Sequence, residues 1–513
     1  MAAIPQKKEG TQPTTKKSGT DNVKGTYTPE LVIALCGPIG SPMHDVADTL
    51  VSQLANFNYT CTRIRLSKYI EEHASKADSS IDTTSEHLRI RSLIAAGDAL
   101  RKKYGHSVLA QLAIHKIRIG REKHKRELNP DTHSYPTRRV CHIIDSIKNQ
   151  DELDLLRTVY GEMLFAIGVF SPMELREQTL AARGLRRNEI FNLVEEDSGV
   201  GSDEGQTVRK TFPHCDMFLR IEKRTDSHLE ERVARFINLM LGVKVVTPTR
   251  NESAMYAAAM ASANSACLSR QVGACITDSE GNVLSVGWND VPSPHGGLYG
   301  DVPPDNDYRC WNHGGFCAND REKDTLAGEI LKALGKVIAV GQEEAARKAI
   351  ISSTRLGSLI EFSRAIHAEM HAIINAGQAA GSRLKGGKLF VTTYPCHSCA
   401  RHIIAAGISE VYFIEPYRKS LALKLHSDAI TEDENDTEKV RILAYDGVAP
   451  VRFLSLFRVP QDSRKANGRM VVVDKARVRP RTQKSMEALD ALEALIAGSS
   501  DIEALVAPGG IHE

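Results

Sequence analysis

The chain has 513 residues, of which 42% are hydrophobic and 25% charged, so it is long enough for two or three globular domains with buried cores. Lys and Arg number 66 and Asp and Glu 64, and the net charge of +2 argues against a protein whose whole surface binds nucleic acid. Collagen-like and wholly disordered chains are excluded, and no apolar run approaches the ~18 residues of a membrane-spanning helix. Because the ten cysteines are sparse and the N-terminus lacks an apolar signal segment, we expect a cytoplasmic protein.

The N-terminal half predicts a parallel α/β domain. Apolar runs typical of buried parallel strands lie at residues 31–36, 140–144 and 163–170. Helical spacing of apolar residues is found at residues 45–57, 152–160 and 229–241. Since strands alternate with helices, we expect a three-layer domain over residues 28–246, preceded by a flexible polar tail at 1–27. The acidic, glycine-rich stretch 195–205 predicts a mobile loop.

The pattern changes after about residue 247, where a second domain is expected to run to residue 460. Its predicted elements are a helix at 253–267, a hairpin at 272–286, strands at 388–392 and 411–415, and a helix at 396–406. Residues 461–513 form a basic tail that ends in a predicted amphipathic helix, with apolar side chains at Met486, Leu489, Leu492 and Ile496.

Two short motifs in the second domain predict a metal centre. They are His367-Ala368-Glu369 and Pro395-Cys396-His397-Ser398-Cys399. One imidazole and two thiols are ligands that zinc prefers, and three protein ligands leave a fourth position for water. We therefore predict His367, Cys396 and Cys399 as zinc ligands and Glu369 as the catalytic proton carrier, a pattern found in zinc nucleobase deaminases. The alternative, a redox Cys-x-x-Cys pair, does not account for the preceding His-x-Glu.

Residues 250–430 resemble the deoxycytidylate deaminases. The resemblance extends to Ser269-Arg270-Gln271-Val272-Gly273-Ala274, Gly287-Trp288-Asn289 and Ala406-Gly407-Ile408. It implies a cytidine-deaminase-like α/β/α sandwich in which Asn289 contacts the deoxyribose or the base. Arg270 is a candidate phosphate ligand. The alternatives are a turn-stabilising amide for Asn289 and a surface ion pair for Arg270.

Two further features stay open at the level of sequence. His371 stands where this family usually has Asn. Because it lies one helical turn from His367, it could be a second metal ligand, a residue that supports the ligands or a packed side chain. The packed histidine is favoured. Cys310, His313 and Cys317 have a spacing compatible with a structural zinc, although unmetallated loop cysteines are favoured.

A degenerate phosphate loop follows the first predicted strand. In residues 37–44 a proline, a methionine and a histidine replace the second glycine, the lysine and the hydroxyl of the usual motif. Gly37, Gly40 and Ser41 are nevertheless candidate nucleotide-binding residues, because a helix N-terminus binds anions. Asp145 stands where a metal-binding aspartate would, and three arginines resemble those of a kinase lid, Arg183, Arg186 and Arg187. The N-terminal half thus resembles a nucleoside-monophosphate-kinase fold without catalysis, with a sensing or a purely structural role.

A kinase-like domain ahead of a deoxycytidylate-deaminase domain is the layout of the bacterial anti-phage dCTP deaminases. The resemblance implies deamination of dCTP and dCMP to dUTP and dUMP, which depletes dCTP during infection, and inhibition by a small RNA in some members. Basic clusters at 116–126 and 464–481 are candidates for binding such an RNA. We also expect a homo-oligomer. The alternatives are a housekeeping dCMP deaminase with an allosteric kinase-like domain, a nucleic-acid base editor and a nucleotide-sensing scaffold.

Overall fold

The computed structural model describes residues 18–128, 138–197, 208–223, 226–339, 341–416, 420–459, 464–471 and 473–506. The strands of the first half are β1 (Leu31–Cys36), β2 (Thr60–Arg65), β3 (Val140–Ile147), β4 (Leu164–Phe170) and β5 (Met217–Arg220). The helices are α1 (Gly19–Gly25), α2 (Met43–Ala55), α3 (Leu66–His73), α4 (Glu86–Tyr104), α5 (Val108–Leu128), α6 (Gln150–Tyr160), α7 (Met173–Ala181), α8 (Arg187–Asp197), α9 (Val208–Thr211) and α10 (Leu229–Leu241).

The second half contributes the remaining elements. Its strands are β6 (Gly273–Thr277), β7 (Val283–Trp288), β8 (Lys388–Thr393), β9 (Glu410–Glu415), β10 (Ile430–Thr431), β11 (Val440–Ala444), β12 (Gly447–Val448), β13 (Lys465–Ala466) and β14 (Arg469–Met470). Its helices are α11 (Arg250–Ser262), α12 (Ala318–Leu334), α13 (Glu343–Ser353), α14 (Ala368–Ala380), α15 (His397–Ala405), α16 (Ala422–Leu425), α17 (Phe453–Phe457), α18 (Met486–Ala497) and α19 (Ser500–Val506).

The first sheet has the strand order β12-β5-β4-β1-β3-β2 and is parallel except for β12. Every residue of β1 is buried, as expected for a central strand covered on both faces. In β2, at the edge, only Ile64 is buried, because an edge strand has one side open to solvent. The predicted parallel α/β architecture of this half is therefore present.

The second sheet has the order β10-β11-β9-β8-β6-β7. Strands β8, β9, β11 and β10 are parallel, and the hairpin β6–β7 joins antiparallel through β6 to β8. Helices α14 and α15 pack on one face through small side chains, of which Ala372, Ala376 and Ala400 are fully buried. Helix α11 packs on the other face, where Ala258 approaches so closely that Gly273 has no room for a side chain.

The C-terminal part of the chain returns to the first sheet. Strand β12 pairs with β5, and α18 and α19 pack against α5. The apolar face of α18 that the sequence indicates is thus used within the chain, with Leu489 fully buried. The segment proposed as a separate tail therefore supplies part of the N-terminal core.

Buried ionic groups join the two halves. Glu252 at the start of α11 accepts hydrogen bonds from Arg235 of α10, at 2.6 and 2.8 Å, and from the Val448 amide at 3.0 Å. Asp216 accepts from Arg452 at 3.0 Å and from the Ala166 amide at 2.7 Å. Since an unpaired buried carboxylate is costly, these contacts fix how the two sheets meet.

Two local expectations need correction. Residues 19–25 of the predicted flexible tail form α1, whose N-cap Ser18 makes a capping box with Asp21; residues 1–17 lie outside the described residues. In the predicted mobile loop at 195–205, the first three residues belong to α8, and residues 198–205 lie outside the described residues. Among the described residues, none of the helices combines the length and apolar composition needed to span a membrane.

Arg121 of α5 provides a test of how α18 is attached. It is 2% exposed and pairs with Glu30 at 2.6 Å and with Glu493 of α18. Arg121→Met leaves two buried carboxylates facing each other, so we expect the free energy of unfolding to fall by about 3–5 kcal/mol. Denaturant unfolding measures this. Arg126→Met, on the exposed side of the same helix, is the control and should change stability little; equal losses in both variants would refute the buried pair.

Candidate metal centre

The three predicted metal ligands come together in the structure. His367 is the N-cap of α14, Cys396 is the N-cap of α15, and Cys399 lies in the first turn of α15. The His367 Nδ1 atom is 3.2 Å from Cys399 Sγ and 3.4 Å from Cys396 Sγ. All three ligand atoms lie within 4.8 Å of one another, and both cysteines are buried. This is one imidazole and two sulfurs around a common point, which fits Zn²⁺.

The local sequence explains how the two sulfurs reach this point. Pro395 separates the end of β8 from α15, so that the helix begins where the strand stops. The Cys399 amide donates a hydrogen bond to Cys396 Sγ at 3.4 Å, as in an N-cap contact. Hydrogen bonds from the Cys399 thiol and from His367 outweigh burial and lower the pKa of Cys396 to about 4. A thiolate is thus stabilised at a helix N-terminus, the state in which cysteine binds a metal.

Glu369 lies beside the cluster. It is in the first turn of α14, two residues after His367, and is 5% exposed. Burial raises the pKa of its carboxyl group. The carboxyl borders the same cavity as His367 and Cys396, so it is placed to exchange protons with a molecule bound over the cluster.

The cavity over the cluster has a volume of about 570 Å³, within the range of small-molecule sites. Tyr394 and Thr393 form part of its wall, next to Cys396. Its cationic side chains come from three different segments, Arg209, Arg270 and Lys323. Sequence reasoning missed Arg209 and Lys323, because no local motif marks them and Arg209 belongs to the other half of the chain.

Asn289 and Arg270 both border this cavity and both have partners within the protein. Asn289 accepts from the Val272 amide at 2.7 Å and donates to the Arg270 carbonyl at 2.8 Å. Its amide therefore holds the segment before β6, which is the turn-stabilising alternative. Arg270 pairs with Glu415 at 3.0 Å and is about half exposed, so the ion-pair alternative is also present. Their roles in substrate binding stay predictions.

His371 does not contribute to the metal cluster. Its Nδ1 accepts a hydrogen bond from the Trp288 amide at 3.2 Å, and its Nε2 is 3.1 Å from the Asn375 side chain. The imidazole also packs edge-on against the Trp288 indole, with centroids 4.8 Å apart. It is the packed histidine that the sequence favoured, holding α14 against β7.

The second candidate metal set is not assembled. Within the described part of the chain, the group formed by His367, Cys396 and Cys399 is the only one of three or more His, Cys, Asp or Glu residues with metal-ligating geometry. Cys317 lies instead 3.2 Å from the Ser269 hydroxyl, and His313 packs against Tyr308. Within the described residues, the structure therefore does not gather Cys310, His313 and Cys317 into a metal-ligating group.

The degenerate phosphate loop lies between β1 and α2, at the carboxyl edge of the first sheet. Gly40 and Ser41 border a cavity of about 600 Å³ together with Arg183 and Asp145, whereas Arg186 and Arg187 do not line it. Gly37 packs against β4, where a side chain would meet the Val169 carbonyl at 2.5 Å. Within the described residues, the buried Ser41 hydroxyl makes no hydrogen bond.

Two aspartates of the chain bind to residues of this loop. The Ile39 amide donates to Asp197 at 2.7 Å, and Lys148 bridges Asp197 and the Gly37 carbonyl, each at 2.8 Å. Asp145 stands at the position of a metal-binding aspartate in the usual motif. Its carboxylate pairs instead with Arg63 at 2.8 Å and with His44 at 3.1 Å. Although burial opposes its ionisation, these two partners lower the pKa of Asp145.

Metal content tests the ligand assignment. Cys396→Ala removes one of three donors, so we expect its affinity for Zn²⁺ to fall by more than the roughly 10–100-fold that loss of an outer-shell partner costs. Glu369→Gln should keep one zinc per chain, and Cys317→Ser should keep it as well, since neither residue is assigned as a ligand. Atomic absorption on the purified variants measures this. Zinc retained by Cys396→Ala, or lost in Cys317→Ser, would show that the ligands are wrongly assigned.

Comparison with known proteins finds relatives of the segment that holds the metal cluster. Residues 248–415 match the family model for the cytidine and deoxycytidylate deaminase zinc-binding region. ComE operon protein 2 of Bacillus subtilis (strain 168) is 45% identical over 56 residues, 11% of this chain and 29% of that protein. The deoxycytidylate deaminase of Enterobacteria phage T2 is 28% identical over 166 residues, 31% of this chain and 77% of that protein. The apo crystal structure of dCMP deaminase from cyanophage S-TIM5 is 19% identical, with 39% of this chain and 100% of that chain covered and a TM-score of 0.23.

The family match encloses His367, Glu369, Cys396 and Cys399, and the prediction of a zinc cofactor is confirmed. The segment that matches begins between α10 and α11 and ends with β9, so it covers the hairpin, α14, α15 and the strands that position them. Residues 248–415 of this chain are therefore similar to the zinc-binding region of the cytidine and deoxycytidylate deaminases, and the metal cluster lies inside that match.

Proposed function

We propose that this chain is a deoxycytidine nucleotide deaminase that converts dCMP to dUMP and dCTP to dUTP. The observation that carries the proposal is the His/Cys/Cys cluster, whose two cysteines are buried, with a buried carboxyl at the same cavity, inside a segment that matches the deaminase family. Deoxycytidylate deaminases among the relatives support a deoxycytidine substrate.

The reaction exchanges the exocyclic amino group of cytosine for an oxygen. One water molecule is consumed, the C4–N bond breaks, and ammonia leaves. His367, Cys396 and Cys399 would hold the zinc ion, which would supply Lewis-acid activation of the attacking water. Glu369 takes the proton from that water, delivers it to the ring nitrogen N3 and then moves a second proton to the departing amine. Its burial keeps this carboxyl away from bulk water, so the protons pass between Glu369 and the substrate.

Use of the triphosphate is the finer part of the proposal. Three cationic side chains at the cavity wall suit a substrate that carries several phosphate charges. Depletion of dCTP as anti-phage defence rests on the fused layout, in which a separate α/β sheet precedes the deaminase segment. The alternative is a housekeeping dCMP deaminase whose first half is allosteric.

For the first half we propose a degenerate kinase-like domain with an anion site at Gly37, Gly40 and Ser41. A parallel sheet with the loop at its carboxyl edge supports this. Asp197 already accepts the Ile39 amide, so a phosphate bound there must compete with that carboxylate. The alternative is a purely structural role, which is favoured because the Ile39 amide already has Asp197 as its partner.

Partners and location remain part of the proposal. Of the two basic clusters, residues 464–481 are the better candidate for an inhibitory small RNA, because in the other cluster Arg121 is buried and Arg118 pairs with Glu122. We further propose a homo-oligomer, as the resemblance implies, and a cytoplasmic location, as the sequence patterns suggest.

Substrate turnover tests the proposed activity. Purified zinc-loaded protein should release ammonia from dCMP and dCTP, and Glu369→Gln, which keeps the size of the side chain, should lower kcat by at least about 100-fold. CTP and a cytosine-containing oligonucleotide are assayed in parallel. Turnover of the oligonucleotide alone would contradict the nucleotide assignment, and turnover of dCMP without dCTP would favour the housekeeping alternative.

The defence role has its own test. In bacteria that produce this chain, we expect the dCTP pool to fall after phage infection and the phage yield to drop, because replication then lacks one precursor. Cells producing Glu369→Gln at equal level are the matched control. An unchanged dCTP pool together with an unchanged yield would refute the defence role while leaving the deaminase activity intact.

A further inference from the structure

Arg209 brings a cation from the first half of the chain to the deaminase cavity. It borders the same cavity as Glu369, His367 and Cys396, although it precedes the family match by about 40 residues. The match to deaminases begins at residue 248, so a side chain at position 209 has no counterpart within the matched segment. The cavity wall is thus built from both halves of the chain.

The element that carries Arg209 is firmly packed. Helix α9 continues into a short 3₁₀ turn at Phe212–His214. On either side of Arg209, the side chains of Val208, Thr211 and Phe212 are all buried. The Phe212 ring packs on Phe218 of β5, with centroids 5.3 Å apart. A different aromatic contact joins the two halves, between Phe170 of β4 and Phe413 of β9. The Phe212–Phe218 contact thus fixes the end of α9 on the first sheet, and the Phe170–Phe413 contact links that sheet to the second.

The side chain of Arg209 is anchored at the edge of the sheet where the metal centre lies. Its Nε donates to the Pro416 carbonyl at 3.2 Å. The preceding residue, Glu415, ends β9 and accepts a hydrogen bond from Arg270 at 3.0 Å. The guanidinium groups of Arg209 and Arg270 therefore form hydrogen bonds to two consecutive residues, Pro416 and Glu415.

This anchor point lies one strand away from the zinc ligands. Strand β9 is the parallel neighbour of β8, and the two strands pair up to Thr393 and Glu415. The Thr393 hydroxyl also donates to Glu415 at 3.1 Å. Cys396 follows β8 by three residues, so the arginines and the metal cluster meet at the same carboxyl edge.

We propose that Arg209, together with Arg270, binds the phosphate groups of the deoxycytidine nucleotide and sets the preference for phosphorylated over unphosphorylated substrate. A guanidinium matches phosphate oxygens in charge and geometry, and the base must approach Glu369 at the other end of the nucleotide. This inference rests on the proposed deaminase activity and adds that the first half of the chain completes the substrate site.

Kinetics of the Arg209 variants with three substrates test the inference. For Arg209→Gln we expect KM for dCMP and dCTP to rise by at least about tenfold with kcat changed less than about threefold, because the contact forms on binding. The kcat/KM for deoxycytidine, which has no phosphate, should change less than about twofold. Arg209→Lys keeps the charge and should recover part of the loss. Lys210→Gln, at the exposed neighbouring position, is the matched control.

Two results would overturn the inference. One is an equal loss for deoxycytidine and dCMP, which indicates a structural role, and the other is no loss at all for Arg209→Gln. Equilibrium dialysis of dCMP and deoxycytidine against zinc-loaded Glu369→Gln, with and without Arg209→Gln, gives the same comparison without turnover. If wild-type protein deaminates none of the three substrates, the proposed activity fails, and dialysis alone decides whether Arg209 distinguishes the phosphate.

Discussion

Two buried thiol sulfurs and a partly exposed imidazole, all within 4.8 Å of one another, are the constraint around which the second half is organised. Removing such groups from water is costly unless a cation or hydrogen bonds compensate them. The chain meets this need by starting two helices at one point, α14 at His367 and α15 at Cys396. Small side chains such as Ala372 and Ala400 let both helices lie close to the sheet. The same two helix N-termini therefore assemble the metal site and set the packing of this half against its sheet.

The two halves of the chain are interlocked rather than consecutive. After the deaminase segment, the chain returns through β12 to the first sheet and ends with α18 and α19 against α5. Glu252 and Asp216 bind partners from both halves, and Arg209 reaches the deaminase cavity. A displacement of the first half would move α9, so its position is linked physically to the substrate cavity. Arg209 thus gives the first half a side chain at this cavity, while Asp197 accepts the Ile39 amide in the phosphate loop of the first half.

Sequence patterns predicted those features in which the signal is local. The buried strand 31–36 and the helix 229–241 have the bounds that the structure gives to β1 and α10, and the spacing of His367, Cys396 and Cys399 predicted the metal cluster. Strand β2 was missed because at a sheet edge it alternates polar residues around Ile64. The pairing of Asn289 with Val272, the return of α18 to α5 and the arrival of Arg209 depend on tertiary packing. No local pattern in the sequence marks such contacts.

The central claim is that one zinc ion, held by His367, Cys396 and Cys399, supports deamination at this cavity. The most direct test removes zinc with a chelator and restores it in steps while ammonia release from dCMP is followed. We predict that activity rises in proportion to bound zinc and reaches its maximum at one ion per chain. Full activity in the stripped protein, or a fully zinc-loaded protein without activity on any deoxycytidine nucleotide, would contradict the account.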